Sequence, residues 1–152
     1  TRVMIQHAGL QDLFEGKGEY GQITFLAPSN LAIMTYMFNN NFRRVNEIPA
    51  AECRRLLEKL IIPQRILTSD VPRGSRSEAT GEKTGGKTYT LMDGSEAFLW
   101  TFQESYLGVG NAGAVHLWFF IEKFATSRRI YSSNIQTENG VVQALGHDFL
   151  FE

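Results

Sequence analysis

Apolar residues in the first third of this chain recur at helical spacing, and those in the last third alternate as in strands. Val3, Met4, Ile5, Ala8, Leu10, Leu13 and Phe14 predict a helix over 3–14. Gly16, Gly18 and Gly21 end it. The β-branched and aromatic run at 22–26 predicts a strand. Pro28 fixes its own φ and pushes Ala27 toward extended geometry. Ser29 and Asn30 then supply the cap of a second helix over 29–38. Leu31, Met34, Tyr36, Met37 and Phe38 are expected on its inward face, and Asn39-Asn40-Asn41 is its stop signal. Pro49 opens a third helix, with Leu56, Leu57, Leu60 and Ile61 as its apolar face and Pro63 as its end.

From 68 to 88 the pattern collapses. Gly, Ser, Thr, Lys and Glu dominate, which predicts a long polar loop. Strands then follow at 89–91 and 96–102, joined by a turn at Asp93-Gly94, and at 115–124. A short strand at 129–131 and one or two more over 141–151 complete the chain, with Asn139-Gly140 as a strong turn signal. Helices first and strands later argue an α+β fold with largely antiparallel pairing.

A length of 152 residues suits a single domain, long enough to bury one core. The net charge of −1 offers no surface for nucleic acid and no polybasic membrane patch. No apolar run reaches the ~18 residues that cross a bilayer. Cys53 is the one cysteine, so no internal disulfide forms, and its helical setting makes it a small apolar residue.

Chemical motifs are present in letter and absent in context. Gly81 to Thr88 satisfies G-x-x-x-x-G-K-[ST], the phosphate loop in which Lys87 and Thr88 would serve phosphate and Mg²⁺. That chemistry needs a buried strand before the loop and a helix N-terminus after it. Arg73 to Thr80 is too polar for the strand, and the chain turns again at Asp93-Gly94. A flexible Gly/Lys/Thr loop is the reading taken, with a nucleotide-binding or hydrolytic domain as the alternative. Gly108 to Gly113 fits G-x-G-x-x-G, but an aromatic β-like run follows it and no acid occupies 131–137, so a dinucleotide site fails. His7, His116 and His147 lack metal-ligand spacing, and no G-x-S-x-G elbow occurs. No catalytic residue, metal or cofactor is assigned. In the run 115–121, Trp118 and Phe120 share one strand face, while Leu117, Phe119 and Ile121 share the other. That strand is either buried on both sides or bears an exposed patch for a glycan or protein. The candidate surface is Tyr106, Trp118 and Phe120.

Four segments, in order, resemble the fasciclin-like domain family. Thr24-Phe25-Leu26-Ala27-Pro28-Ser29-Asn30 is similar to its first signature, Thr-Val-Phe-Ala-Pro-Thr-Asn. Leu56 to Pro63 looks like its Leu-Leu-x-Tyr-His-Val-Val-Pro stretch, and Thr90 to Gly94 its Thr-Leu-x-Gly turn. Asn139-Gly140-Val141-Val142-Gln143-Ala144-Leu145 resembles its second signature, Asn-Gly-Val-Ile-His-Val-Ile-Asp.

The resemblance implies a twisted β-sandwich or wedge flanked by several helices, with adhesion rather than catalysis as its activity. It implies structural roles for Phe25, Ala27, Pro28, Asn30, Asn139, Gly140, Val141 and Leu145. It implies an extracellular or cell-envelope setting and an unknown protein or glycan partner. Three departures stand out. Lys59-Leu60 occupies the place of the Tyr-His pair tied to adhesion in some members. Gln143 replaces the usual His. Gly146 stands where Asp is usual, with Asp148 two positions on. The segment 101–129 is longer than the family's middle strands and predicts an extra hairpin. Without an Asn-x-Ser/Thr sequon or a cysteine pair, a bacterial surface lipoprotein is the expected form. This chain is then expected to be one fasciclin-like domain, 1–152, of a longer exported protein.

Overall fold

The computed structural model describes residues 2–17, 21–103, 105, 107–110, 113–122, 127–137, 140–146 and 149–151. The predicted first helix is two. Helix α1 (Arg2–His7) closes at Gly9, whose φ of +74° lets the Leu10 N–H reach the Ile5 carbonyl. The short α2 (Gln11–Phe14) follows. Strand β1 (Ile23–Ala27) leads through Pro28 to α3 (Asn30–Asn39), where the Ser29 hydroxyl accepts from the Ala32 N–H at 3.3 Å as the N-cap. Helix α4 (Ala50–Glu58) starts after Pro49. It stops short of the predicted end, because Ile61 and Ile62 form β2 (Ile61–Ile62) against β1.

The inward face of α3 matches the expected one at Tyr36 and, half-buried, at Met37, and differs elsewhere. Ala32, Ile33 and Tyr36 are buried, whereas Leu31, Met34 and Phe38 stand 45%, 60% and 82% exposed. The helix is apolar nearly all round, so periodicity cannot choose its buried side. The Ser29 cap and the Tyr36 hydroxyl, which donates to Glu52 Oε1 of α4 at 3.0 Å, set its rotation instead.

The expected 68–88 loop is structured. A single 3-10 turn spans Thr68–Asp70, and β3 (Gly74–Arg76) pairs antiparallel with β4 (Lys83–Gly85) as a separate two-stranded flap. The remaining strands are β5 (Lys87–Thr90), β6 (Glu96–Gln103), β7 (Val115–Ile121), β8 (Arg128–Thr137) and β9 (Gly140–Leu145). The proposed end of β7 at Phe124 lies outside the described residues. The segment at 149–151 is no strand; Phe149 and Phe151 instead plug the core, with ring centroids 5.6 Å apart.

The large sheet has seven strands in the order β2-β1-β9-β8-β7-β6-β5. All of its pairs are antiparallel except β1 with β9. That one parallel pair brings the two signature segments side by side, Ile23 against Gly140 and Ala27 against Ala144. Their corners do not meet: Gly140 lies at the start of β1 and Pro28 beyond its end, some five residues or about 17 Å along the strand. Gly140 lies so close to β1 that an added Cβ would fall 1.9 Å from the Ile23 carbonyl oxygen. No other residue fits there. Fully buried side chains from α4, the turn after it, β1 and β2 (Leu56, Leu57, Leu60, Ile61, Ile62 and Leu26) form the centre of the core.

Candidate binding surface

Alternation along β6 and β7 builds two faces. Ala97, Leu99, Leu117, Phe119 and Ile121 point into the main core. The other face carries a ladder of cross-strand pairs: Phe98 with Phe120, Trp100 with Trp118, and Phe102 with His116. Trp100 and Trp118 stack at 6.1 Å between centroids, with 13° between planes, and Arg129 of β8 lies opposite Trp118.

The flap covers one end of this ladder. Pro72 and Arg73 run beside β6, with the Thr101 N–H donating to the Pro72 carbonyl. The chain then crosses the outer face as β3 and returns at Gly86, whose N–H donates to the Arg73 carbonyl. Arg76 stacks its guanidinium 3.5 Å from the centre of the Phe120 ring. Lys83 Nζ sits 5.5 Å from the Phe98 ring and 5.6 Å from that of Phe120. Such cation–π contacts contribute on the order of 0.5–2 kcal/mol each, according to how dry they are. At its far end the flap is held by Glu78, which accepts the Ser127 N–H at 3.1 Å; hydrogen bonding from the Ser127 side chain, ahead of that N–H and of the nearby Arg76 charge, holds the Glu78 carboxyl below its ordinary pKa.

The phosphate-loop letters therefore encode something else. Lys83–Gly85 and Lys87–Thr90 are strands, and no helix follows them to present amides to an anion. Gly86, at φ +60°, lies against Phe98 so tightly that a Cβ there would sit 2.6 Å from its ring.

The candidate residues separate as follows. Trp118 is half-buried and reachable. Phe120 is buried beneath Arg76, which corrects its place in the expected surface. Tyr106 lies outside the described residues. Phe102, 52% exposed, takes the open place in the ladder. It was legible in the alternation Phe98-Trp100-Phe102. Arg76 and Lys83 gave no such signal, because they sit in a segment without apolar periodicity. Among the signature residues Phe25, Pro28, Gly140, Val141 and Leu145 are buried, Ala27 is half-buried and Asn30 is exposed at the start of α3. Asn139 lies outside the described residues, as do His147 and Asp148. Gln143 is fully buried: it donates to the Ile66 carbonyl and to Asn134 Oδ1, and accepts the Asn134 N–H at 2.8 Å. It thereby pins Asn134, at φ +59°, in the irregular stretch of β8.

The family model of the fasciclin domain matches residues 1–147. The chain belongs to that family. Fasciclin domains are adhesion modules, typically extracellular or at the cell surface. The fold agrees with a solved FAS1 domain pair from the insect cell adhesion molecule fasciclin I, at a TM-score of 0.61 and 16% identity. That match covers 96% of this chain and 42% of the insect one, so this fasciclin domain spans less than half of the protein it resembles. No curated protein sequence matches it. No helix among the described residues is long and apolar enough to cross a membrane.

Proposed function

We propose that this fasciclin domain is a non-enzymatic adhesion module that grips a partner protein with the open end of the β6–β7 ladder. One observation carries the reading: Trp118 is half-buried with part of its ring open, locked by its stack on Trp100, and flanked by exposed Phe102 and by Arg129. Aromatic and arginine side chains of this kind dominate protein contact energies. A side chain already held in one orientation loses little entropy on binding. The structural signature residues serve, on this reading, to hold β1 beside β9 and so keep the sheet that displays the ladder. Surface attachment through a lipid on a longer chain belongs to the same proposal, and detergent-phase partitioning of the native protein checks it.

Beads coated with the domain test the reading on cells of its own source. The wild type is expected to bind, the Trp118→Ala/Phe102→Ser double variant to lose most binding, and Leu31→Ser/Phe38→Ser on α3 to keep it. Loss in the α3 variant alone moves the contact to that helix. Binding that survives protease treatment of the cells but not glycan removal identifies a glycan instead.

A further inference from the structure

The flap's other side borders a cleft of 490 Å³ at the opposite end of the ladder from Phe102. Arg76, Gly81 and Lys83 of the flap line it, with Ser95, Glu96, Phe120, Ile121 and Glu122 of the sheet. Its charges are only partly answered within the chain. The Arg76 side chain is only 10% exposed, yet its Nε has no hydrogen-bond partner among the described residues. Its Nη1 makes two long contacts, 3.2 Å to Glu78 Oε1 and 3.4 Å to Ser127 Oγ. Its Nη2 lies toward Gly81, within 3.8 Å of where a Cβ would stand. The Nε–Nη2 edge, the edge of a guanidinium that takes a carboxylate with two parallel bonds, makes no hydrogen bond among the described residues; Nη2 is the donor a ligand meets first, and Nε, closed to solvent, joins it when the side chain turns toward the cleft. A buried donor left unmatched costs about 1–3 kcal/mol, so the unmatched Nε favours a ligand that brings an acceptor.

The acids of the cleft narrow the ligand. Continuing the register from Ala97 and Ile121 sets Glu96 opposite Glu122. Like charges directly across a strand pair repel. Neither carboxylate has a partner among the described residues, and both are exposed at the rim. They are acceptors only, so they call for hydroxyl or ammonium donors. A metal ion would answer them, but Arg76 and Lys83 stand in the same cleft and oppose a second cation. A ligand with one carboxylate and several hydroxyls answers every group: carboxylate to Arg76 and Lys83, hydroxyls to Glu96 and Glu122. The volume lies in the range of small-molecule sites, roughly 300–1,000 Å³.

We infer that this cleft is a subsite for a sugar acid, a hexuronate ring either free or within an acidic glycan. It lies beyond the flap from Trp118, and its occupancy is independent of the adhesion contact proposed above.

The test is titration of the ¹⁵N-labelled domain with sodium glucuronate at constant ionic strength, following the amides of Gly81, Lys83, Ser95 and Ile121. Saturable shifts are expected with a Kd on the order of millimolar, about −4 kcal/mol. Glucose, which lacks the carboxylate, and sodium chloride are expected to leave those amides unmoved. N-acetylglutamate, which lacks the hydroxyls, is expected to bind at least roughly tenfold more weakly. Arg76→Lys keeps the charge and removes the fork, and should weaken glucuronate about tenfold or more. Lys83→Gln, at an exposed position, gives up the Lys83 ring contacts but keeps the Arg76 and Glu78 contacts of the flap, and should weaken it severalfold. Glu96→Gln/Glu122→Gln should erase the preference for glucuronate over N-acetylglutamate. No saturable shift at those four amides overturns the subsite, as does unchanged affinity in both cation variants. Equal affinity for N-acetylglutamate overturns the sugar assignment in favour of an acidic peptide side chain.

Discussion

Replacing Gly86 with alanine tests whether the flap is packed on the sheet or merely tethered to it. Gly86 has φ +60°, and a Cβ there would meet the Phe98 ring at 2.6 and 2.8 Å and the Leu99 carbonyl oxygen at 2.7 Å. Gly94 is the matched control: its φ is +87°, and nothing lies within 4 Å of the added atom. Both substitutions carry the left-handed penalty of an L-residue, about 1–2 kcal/mol. Only Gly86→Ala adds a clash, and one of its neighbours is backbone that cannot swing away. Overpacking of this kind costs typically about 1–3 kcal/mol more. Relief requires lifting the flap, which also forfeits the Arg76 and Lys83 contacts over Phe98 and Phe120. Urea unfolding followed by tryptophan emission should therefore show Gly86→Ala roughly 2–5 kcal/mol less stable than wild type and Gly94→Ala about 1–2 kcal/mol less. The Gly86 variant should also emit to the red while still folded, because Trp100 lies beside the Phe98 ring at 5.2 Å and loses its cover. Equal losses in the two variants, with unchanged emission, would refute the packed flap.

Three further outcomes follow from the same contacts. Gln143→Met leaves the Asn134 N–H and the Ile66 carbonyl without their partner and should cost about 2 kcal/mol in urea unfolding. Phe38→Ser should change stability by no more than about 0.5 kcal/mol, since that ring is 82% exposed. Burial, ahead of the hydrogen bond to Glu52, pushes the Tyr36 hydroxyl up from 10.0 to about 12. The folded chain then keeps a proton that the unfolded chain releases, so this contribution is whole below pH 10 and is lost as pH rises toward 12, by roughly 2 kcal/mol. Burial raises Tyr89 in the same direction. Alkaline unfolding of Tyr36→Phe should show a shallower decline than wild type over that window.

Much of this architecture is written in local chemistry, and the rest is not. Ser29, Pro28 and the β-branched run before them specify strand, corner and helix through neighbours in sequence. The turn at Asp93-Gly94 is likewise local: the Asp93 carboxylate accepts the Ser95 N–H at 3.0 Å. The parallel pairing of β1 with β9 joins residues more than a hundred positions apart, and no local signal encodes it. It became legible only through the resemblance of the two segments to one family. The flap stayed hidden because Gly74, Arg76, Lys83 and Gly86 pack by cation–π contact and bare backbone rather than by apolar side chains. Helix α3 carries apolar residues on every side, so its buried face depends on Glu52 of another helix. On the candidate surface, alternation gave the correct face for Trp118, while the burial of Phe120 depended on that same hidden flap.

Adhesion through the open end of the ladder is tested most directly by measuring the detachment force of cells from a surface coated with the domain, wild type against Trp118→Ala. The variant should stay folded with a melting temperature lowered by no more than about 10 °C, because Trp118 is only half-buried, and should lose most of the force. Wild-type force from a folded Trp118→Ala/Phe102→Ser domain would contradict the account.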